Sequence, residues 1–287
     1  MSTTAAPHGV ERVRPELHFV VSAVFHYLGP AFAVLLFARV DVLGVAWLRI
    51  ASAAMVFAAW RRPWRVLVAQ DTGGRQLLLA RGVLLTAMNA CFYTAIDRLP
   101  LGTVAAIEFL PVVGLAALGA RSTRNGLALV CAVGGVYLVT DVRLAAEPVG
   151  LAFAFANAGL FAGYIVLADR VAKRDGLSGM DGLAAGMLVA AVAITPVGAV
   201  SAAPALLDPV ALAAGIGVGL SSSVIPYVAD QLALGRLPRA TYALMVALLP
   251  ATATVVGVVV LAQLPSAGEV AGVALVVGAV AVHRPGR

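Results

Sequence analysis

The sequence predicts an all-α integral membrane protein of ten transmembrane helices, arranged as two inverted-topology repeats of five. Three observations predict it: the composition, a series of apolar segments of spanning length, and the alternation of Lys and Arg between them. Apolar residues make up 61% of the 287 residues and charged residues 12%, with a mean hydropathy of +0.97. Soluble domains carry about 25% charged residues, so this chain cannot cover a water-facing surface. The net charge of +6 and pI near 9.9 would suggest nucleic acid in a soluble protein. Here the basic residues lie between apolar runs and read as membrane-orienting charge, with no nucleic-acid partner.

A span needs about 20 mostly apolar residues, within a range of roughly 17–25. The chain opens on a polar tail, residues 1–16, its longest polar stretch. The first apolar run, 18–38, exceeds a signal-peptide core and lacks a clear A-x-A cleavage site, so it reads as a retained span. Further spans are expected at 43–60, 77–96, 101–119, 125–140, 149–168, 182–203, 210–229, 240–262 and 268–283, the fifth being short. Many loops hold only a few residues, which forces neighbouring helices to pack antiparallel.

Charge sets the orientation. With ten spans, one side collects fifteen of the twenty basic residues, among them Arg61, Arg65, Arg124, Arg170 and Arg284, and the other side only Arg39, Arg98 and Arg143. Arg49 and Arg81 fall within spans. The positive-inside rule then expects a multi-pass plasma (inner) membrane protein with both termini cytoplasmic. The repeat follows from Ala95-Ile96-Asp97-Arg98-Leu99-Pro100, which matches Ala233-Leu234-Gly235-Arg236-Leu237-Pro238 at an offset of 138. Five spans per half is an odd number, so the halves, 17–142 and 149–284, must enter the membrane from opposite sides. That architecture marks secondary transporters, whose substrate site lies near the midplane between halves.

Intramembrane polar residues supply the candidate substrate-binding set: Glu108, Arg49, His26, Asn89, Tyr93, Asn157, Tyr164 and Tyr227. A carboxylate inside a span costs roughly 2.5–3.5 kcal/mol on insertion scales. Glu108 in span four and Arg49 in span two fall at similar depths, where pairing would offset part of that cost. The pair reads either as a structural ion pair or as the charged end of a site. His26 reads either as a hydrogen-bonded packing residue or as a group that titrates near neutral pH. Asn89 and Tyr93, four apart, share a helix face, as do Asn157 and Tyr164 two turns apart; these groups either line a cavity or bond across helices. Pro30, Pro111, Pro196, Pro226 and Pro250 interrupt spans, as in the kinked helices that line transporter cavities.

No HExxH, Walker loop, GxSxG or paired-cysteine metal motif is present, so neither enzyme chemistry, a cofactor, a metal site nor ATP-driven pumping is expected. Cys91 and Cys131 read as small core residues.

The run MNACFYTAIDRLPLGTVAAIEFLP (88–111), the run SSVIPYVADQLALGRLPRATYALMVALLP (222–250) and Gly44-Val45-Ala46-Trp47-Leu48-Arg49 resemble the drug/metabolite transporter superfamily. Within it the chain looks most like the EamA-type permeases related to the bacterial threonine and homoserine exporters. By position Arg49, Asn89, Tyr93 and Glu108 match motif positions of the first half, and Pro226, Tyr227 and Pro250 those of the second. Leu249 and Ala262-Gln263 stand where family members often carry acids, and Pro111 comes one residue early. The resemblance implies a secondary transporter exporting small polar metabolites, above all amino acids such as threonine or homoserine, by alternating access. The other readings are efflux of cationic or hydrophobic drugs, and a non-transporting membrane scaffold or accessory subunit. The expected partners are a small-molecule substrate and the lipid bilayer, and a homodimer stays open.

Overall fold

A computed structural model describes residues 15–119, 122–144, 146–174, 176–234 and 248–282, and every regular element among them is helical. The helices are α1 (Pro15–Leu36), α2 (Val42–Arg61), α3 (Pro63–Ala69), α4 (Thr72–Ile96), α5 (Leu101–Glu108), α6 (Leu110–Gly119) and α7 (Thr123–Leu144). Then follow α8 (Pro148–Ala172), α9 (Gly179–Ser201), α10 (Ala203–Leu207), α11 (Pro209–Gly219), a π turn (Leu220–Val224), α12 (Ile225–Leu234), α13 (Leu249–Leu261) and α14 (Ala267–Val282). Six stretches are long and apolar enough to cross a membrane: Leu17–Leu36, Val42–Arg61, Thr72–Ile96, Pro148–Ala172, Gly179–Ser201 and Pro209–Asp230. Four shorter apolar helices, Leu101–Gly114, Thr123–Val139, Leu249–Leu261 and Ala267–Val282, stand where the other four spans are expected.

Two of the expected spans are not continuous helices. The fourth breaks at Phe109, because Pro111 has no N–H for the Ile107 carbonyl and its ring crowds that turn. The eighth widens into the π turn just before Pro226, where Ile225 N–H reaches back five residues to the Leu220 carbonyl. The start of the ninth, and with it the second copy of the Arg-Leu-Pro turn at Arg236–Pro238, lies outside the described residues. So does nearly all of the N-terminal tail.

Helix ends follow local chemistry. Asp41, Asp71, Ser178 and Asp208 cap α2, α4, α9 and α11, their side-chain oxygens accepting from backbone N–H groups of the first turn. Outside the spans, the Asp71 carboxyl is held below its usual range, first by the Gly74 N–H and then by Arg174, which pairs with it. At the same end Arg61 pairs with Asp181 at 2.7 Å. The exposed Trp60 and Trp64 stand beside Arg61, Arg62 and Arg65, the mixture of aromatic and basic residues expected at a membrane interface.

The packing joins helices far apart in sequence: α2 with α9, α4 with α8 and α9, α1 with α11 and α12, α5 with α13, and α7 with α14. Small residues set these approaches, as in other membrane bundles. At the α7–α14 crossing a Cβ on either Gly135 or Gly272 would come within 2.6 Å of the other's carbonyl oxygen. A Cβ on Gly219 would sit 1.8 Å from Ser52 Oγ and 2.7 Å from the Arg49 carbonyl, so glycine lets α11 touch the backbone of α2 beside Arg49. Cys91 and Cys131 are both free and half-buried.

Candidate functional site

A cavity of about 290 Å³ lies among α1, α2, α4, α8, α12 and the break between α5 and α6. His26, Arg49, Asn89, Glu108, Asn157, Tyr164 and Tyr227 all line it, so seven of the eight expected residues converge on one space. Tyr93 does not line it. Fully buried, Tyr93 packs edge-on against Phe37 and Phe92 and lies under Arg49, whose guanidinium carbon is 5.4 Å from the ring centre. One turn beyond Asn89, it has rotated off the cavity-facing stripe.

Arg49 is 7% exposed and organises one wall. Its Nη1 donates to Asn89 Oδ1 at 2.6 Å, its Nε to Ser223 Oγ at 3.1 Å and its Nη2 to the Ser222 carbonyl at 3.3 Å. Each acceptor has a local reason to be ready. Asn89 Nδ2 donates to the Leu85 carbonyl of its own helix at 2.8 Å, which turns Oδ1 toward Arg49. The Ser222 carbonyl loses its ordinary helical donor because residue 226 is proline, and Arg49 supplies the replacement. The π turn swings the three buried serines inward; such turns recur at functional sites.

Glu108 forms the opposite wall, 9% exposed at the last position of α5. Its Oε1 accepts from Asn157 Nδ2 at 3.1 Å. Asn157 is fully buried, and its Oδ1 has no hydrogen-bond partner among the described residues. The carboxylate also stands at a helix C-terminus, the end carrying partial negative charge. This wall is rich in acceptors and suits a cation, whereas the Arg49 wall is rich in donors and suits an anion.

The expected ion pair between Glu108 and Arg49 is not formed. Among the described residues the two face one cavity, yet each is satisfied by an asparagine from another helix. The expected similarity of depth concerned only one coordinate; the rotation of each helix about its own axis gives each residue a different partner.

Three further groups in or beside the site were not expected there. Asp230, mid-way along α12, lines the cavity and accepts from Ser22 Oγ at 2.6 Å. Its sequence signal was an acid four residues after Pro226, where it resembled a loop residue. Arg81, 7% exposed, donates from Nη2 to Tyr164 Oη at 2.9 Å and lies over that ring. Phe92, Phe109 and Phe161 supply apolar lining. Among the described residues no cluster of His, Cys, Asp or Glu could hold a metal ion.

Comparison with known proteins fixes the class. The threonine/homoserine exporters RhtA of Salmonella typhimurium (strain LT2) and Escherichia coli (strain K12) are each 32% identical over 238 residues, covering 82% of this chain and 79% of theirs. The chain belongs to the RhtA family of the drug/metabolite transporters. It is therefore a membrane transport protein of the inner membrane, multi-pass, acting on a small molecule, and not an enzyme. One solved crystal structure, 20% identical, shares the fold with a TM-score of 0.58 over 94% of this chain and 97% of that one. No family model matches the chain.

Proposed function

We propose that the protein exports small zwitterionic amino acids, threonine and homoserine first among them, by alternating access around this cavity. The observation that carries the reading is the division of the cavity into two walls. The substrate carboxylate is recognised by the Arg49 fork with Ser223, and the ammonium group by Glu108 with the free Asn157 Oδ1. Charge-assisted hydrogen bonds of this kind contribute about 1.5–3 kcal/mol each. A cavity of about 290 Å³ falls just under the usual range of ligand sites, about 300 to 1,000 Å³, and so favours a small polar metabolite over a bulky drug. The names of the RhtA relatives point to the same substrates.

The helix packing supports ten spans in two inverted halves, 17–142 and 149–284. Numbering the expected spans one to ten, exchange of each span with the one five places on maps the contacts onto one another. Span two against seven, four against nine and five against ten map onto themselves, and three against six maps onto one against eight. The basic-residue asymmetry supports both termini in the cytoplasm.

Glu108→Gln tests the reading. It keeps the size of the side chain and an acceptor oxygen but removes the charge that would hold an ammonium group. Threonine export from loaded vesicles should fall at least tenfold while the variant still reaches the membrane; export at the unmodified rate would make Glu108 a structural residue.

A further inference from the structure

The sequence offers one acid, Glu108, inside the expected spans of the first half and none in its partial copy at Leu237–Pro250. The structure supplies the second acid from elsewhere. Asp230 lines the same cavity as Glu108, on α12, while the Ser22 hydroxyl that donates to it belongs to α1. That bond therefore crosses between the two halves. Ser22 is 3% exposed.

On α1, His18, Ser22 and His26 follow one another at intervals of four, which places them on one stripe of the helix. At the tail end of that stripe His18 lies in an apolar groove of about 360 Å³ with Val224, Ile225, Val228 and Ala229, and its Nδ1 is buried with no hydrogen-bond partner among the described residues. At the inner end His26 lines the cavity. The other ionisable groups bordering the same space are Tyr227 on α12, Tyr164 on α8, Arg49 on α2 and Glu108 on α5, with Arg81 on α4 behind Tyr164, to which it donates. Intramembrane chains of acids and histidines are how proton relays are built.

We propose that Asp230 is the proton-carrying group of this transporter, reached along the His18–Ser22 stripe of α1, and that it exchanges a proton for the substrate. The proposal rests on the transport reading above. Loading places the proton on an Asp230 carboxyl oxygen and weakens the Ser22 bond by removing the acceptor's charge. Unloading returns the proton to water and restores the Ser22 bond between the halves. Asp230 and Glu108 line one cavity, and an ammonium group held there competes with a proton for its carboxylates, which yields antiport.

The test uses the full-length protein in proteoliposomes with a trapped pH-sensitive dye and labelled L-threonine. In the unmodified protein, threonine moving down its gradient should drive protons the opposite way, without dependence on sodium. Asp230→Asn should cut the threonine-driven proton flux at least tenfold while threonine counterflow stays measurable, and Asp230→Glu should keep both. Ser22→Ala, which leaves the acid in place, should shift the pH profile of transport. Threonine-driven proton flux undiminished in Asp230→Asn, or a flux that requires sodium, overturns the proposal. Absence of threonine counterflow in the unmodified protein would instead overturn the amino-acid reading. The proton site then stands or falls on carbodiimide labelling, which adds a protonated carboxyl across its C=N bond. Asp230 should be labelled increasingly as pH falls from 9 to 5, and no labelling anywhere in that range refutes it.

Discussion

Arg49→Lys separates charge from geometry at the centre of the site. The substitution keeps the positive charge but replaces a planar fork with a single ammonium on a flexible stem. Arg49 now reaches Asn89 on α4, and both Ser223 and the Ser222 carbonyl on the π turn. One ammonium cannot span acceptors arrayed around a guanidinium while also meeting a substrate carboxylate. Losing a single charge-assisted bond at about 1.5–3 kcal/mol corresponds to a roughly 10–150-fold weaker Kd. The assay is binding of labelled L-threonine to purified protein in lipid nanodiscs, with Tm measured in parallel. A Kd within twofold of the unmodified protein would refute the assignment of the carboxylate wall to the Arg49 fork.

Two other outcomes follow from local geometry. Pro226→Ala restores an N–H that competes with Arg49 for the Ser222 carbonyl, so threonine transport should fall several-fold in vesicles while Tm stays level or rises. Asp71→Ala removes the cap of α4 and the partner of Arg174. Because the folded state holds the Asp71 carboxyl below its usual range, its stabilisation is present above the unfolded carboxyl value and is lost as pH falls through the folded one. The Tm of Asp71→Ala should therefore lie below that of the unmodified protein at pH 7, with the gap closing well below about pH 4.

Six long apolar helices, and four shorter ones at the other expected positions, were legible in the sequence because apolar length is a property of single segments. Contacts between segments were legible only in part. Hydropathy and expected depth brought eight polar residues into one candidate set, of which seven, Asn89 among them, line the one cavity. Helical periodicity could not show that Tyr93, one turn on from Asn89, is captured by Phe37 and Phe92. Glu108 and Arg49 are expected at similar depths, but nothing in the sequence states which way each helix is rotated, so their separate asparagine partners were invisible. The proline positions did announce the break at Phe109. Asp230 was missed because a charge just past the end of the expected span, 210–229, resembles a loop residue until the Ser22 hydroxyl is seen beside it.

The most direct test of the two-walled cavity is competition binding against labelled L-threonine with its two charges blocked in turn. The methyl ester removes the carboxylate charge and should lose affinity at least tenfold through the Arg49 wall. N-acetylation removes the ammonium charge and should lose at least tenfold through Glu108 and Asn157. An ester or an N-acetyl derivative that competes as well as threonine itself would contradict the account.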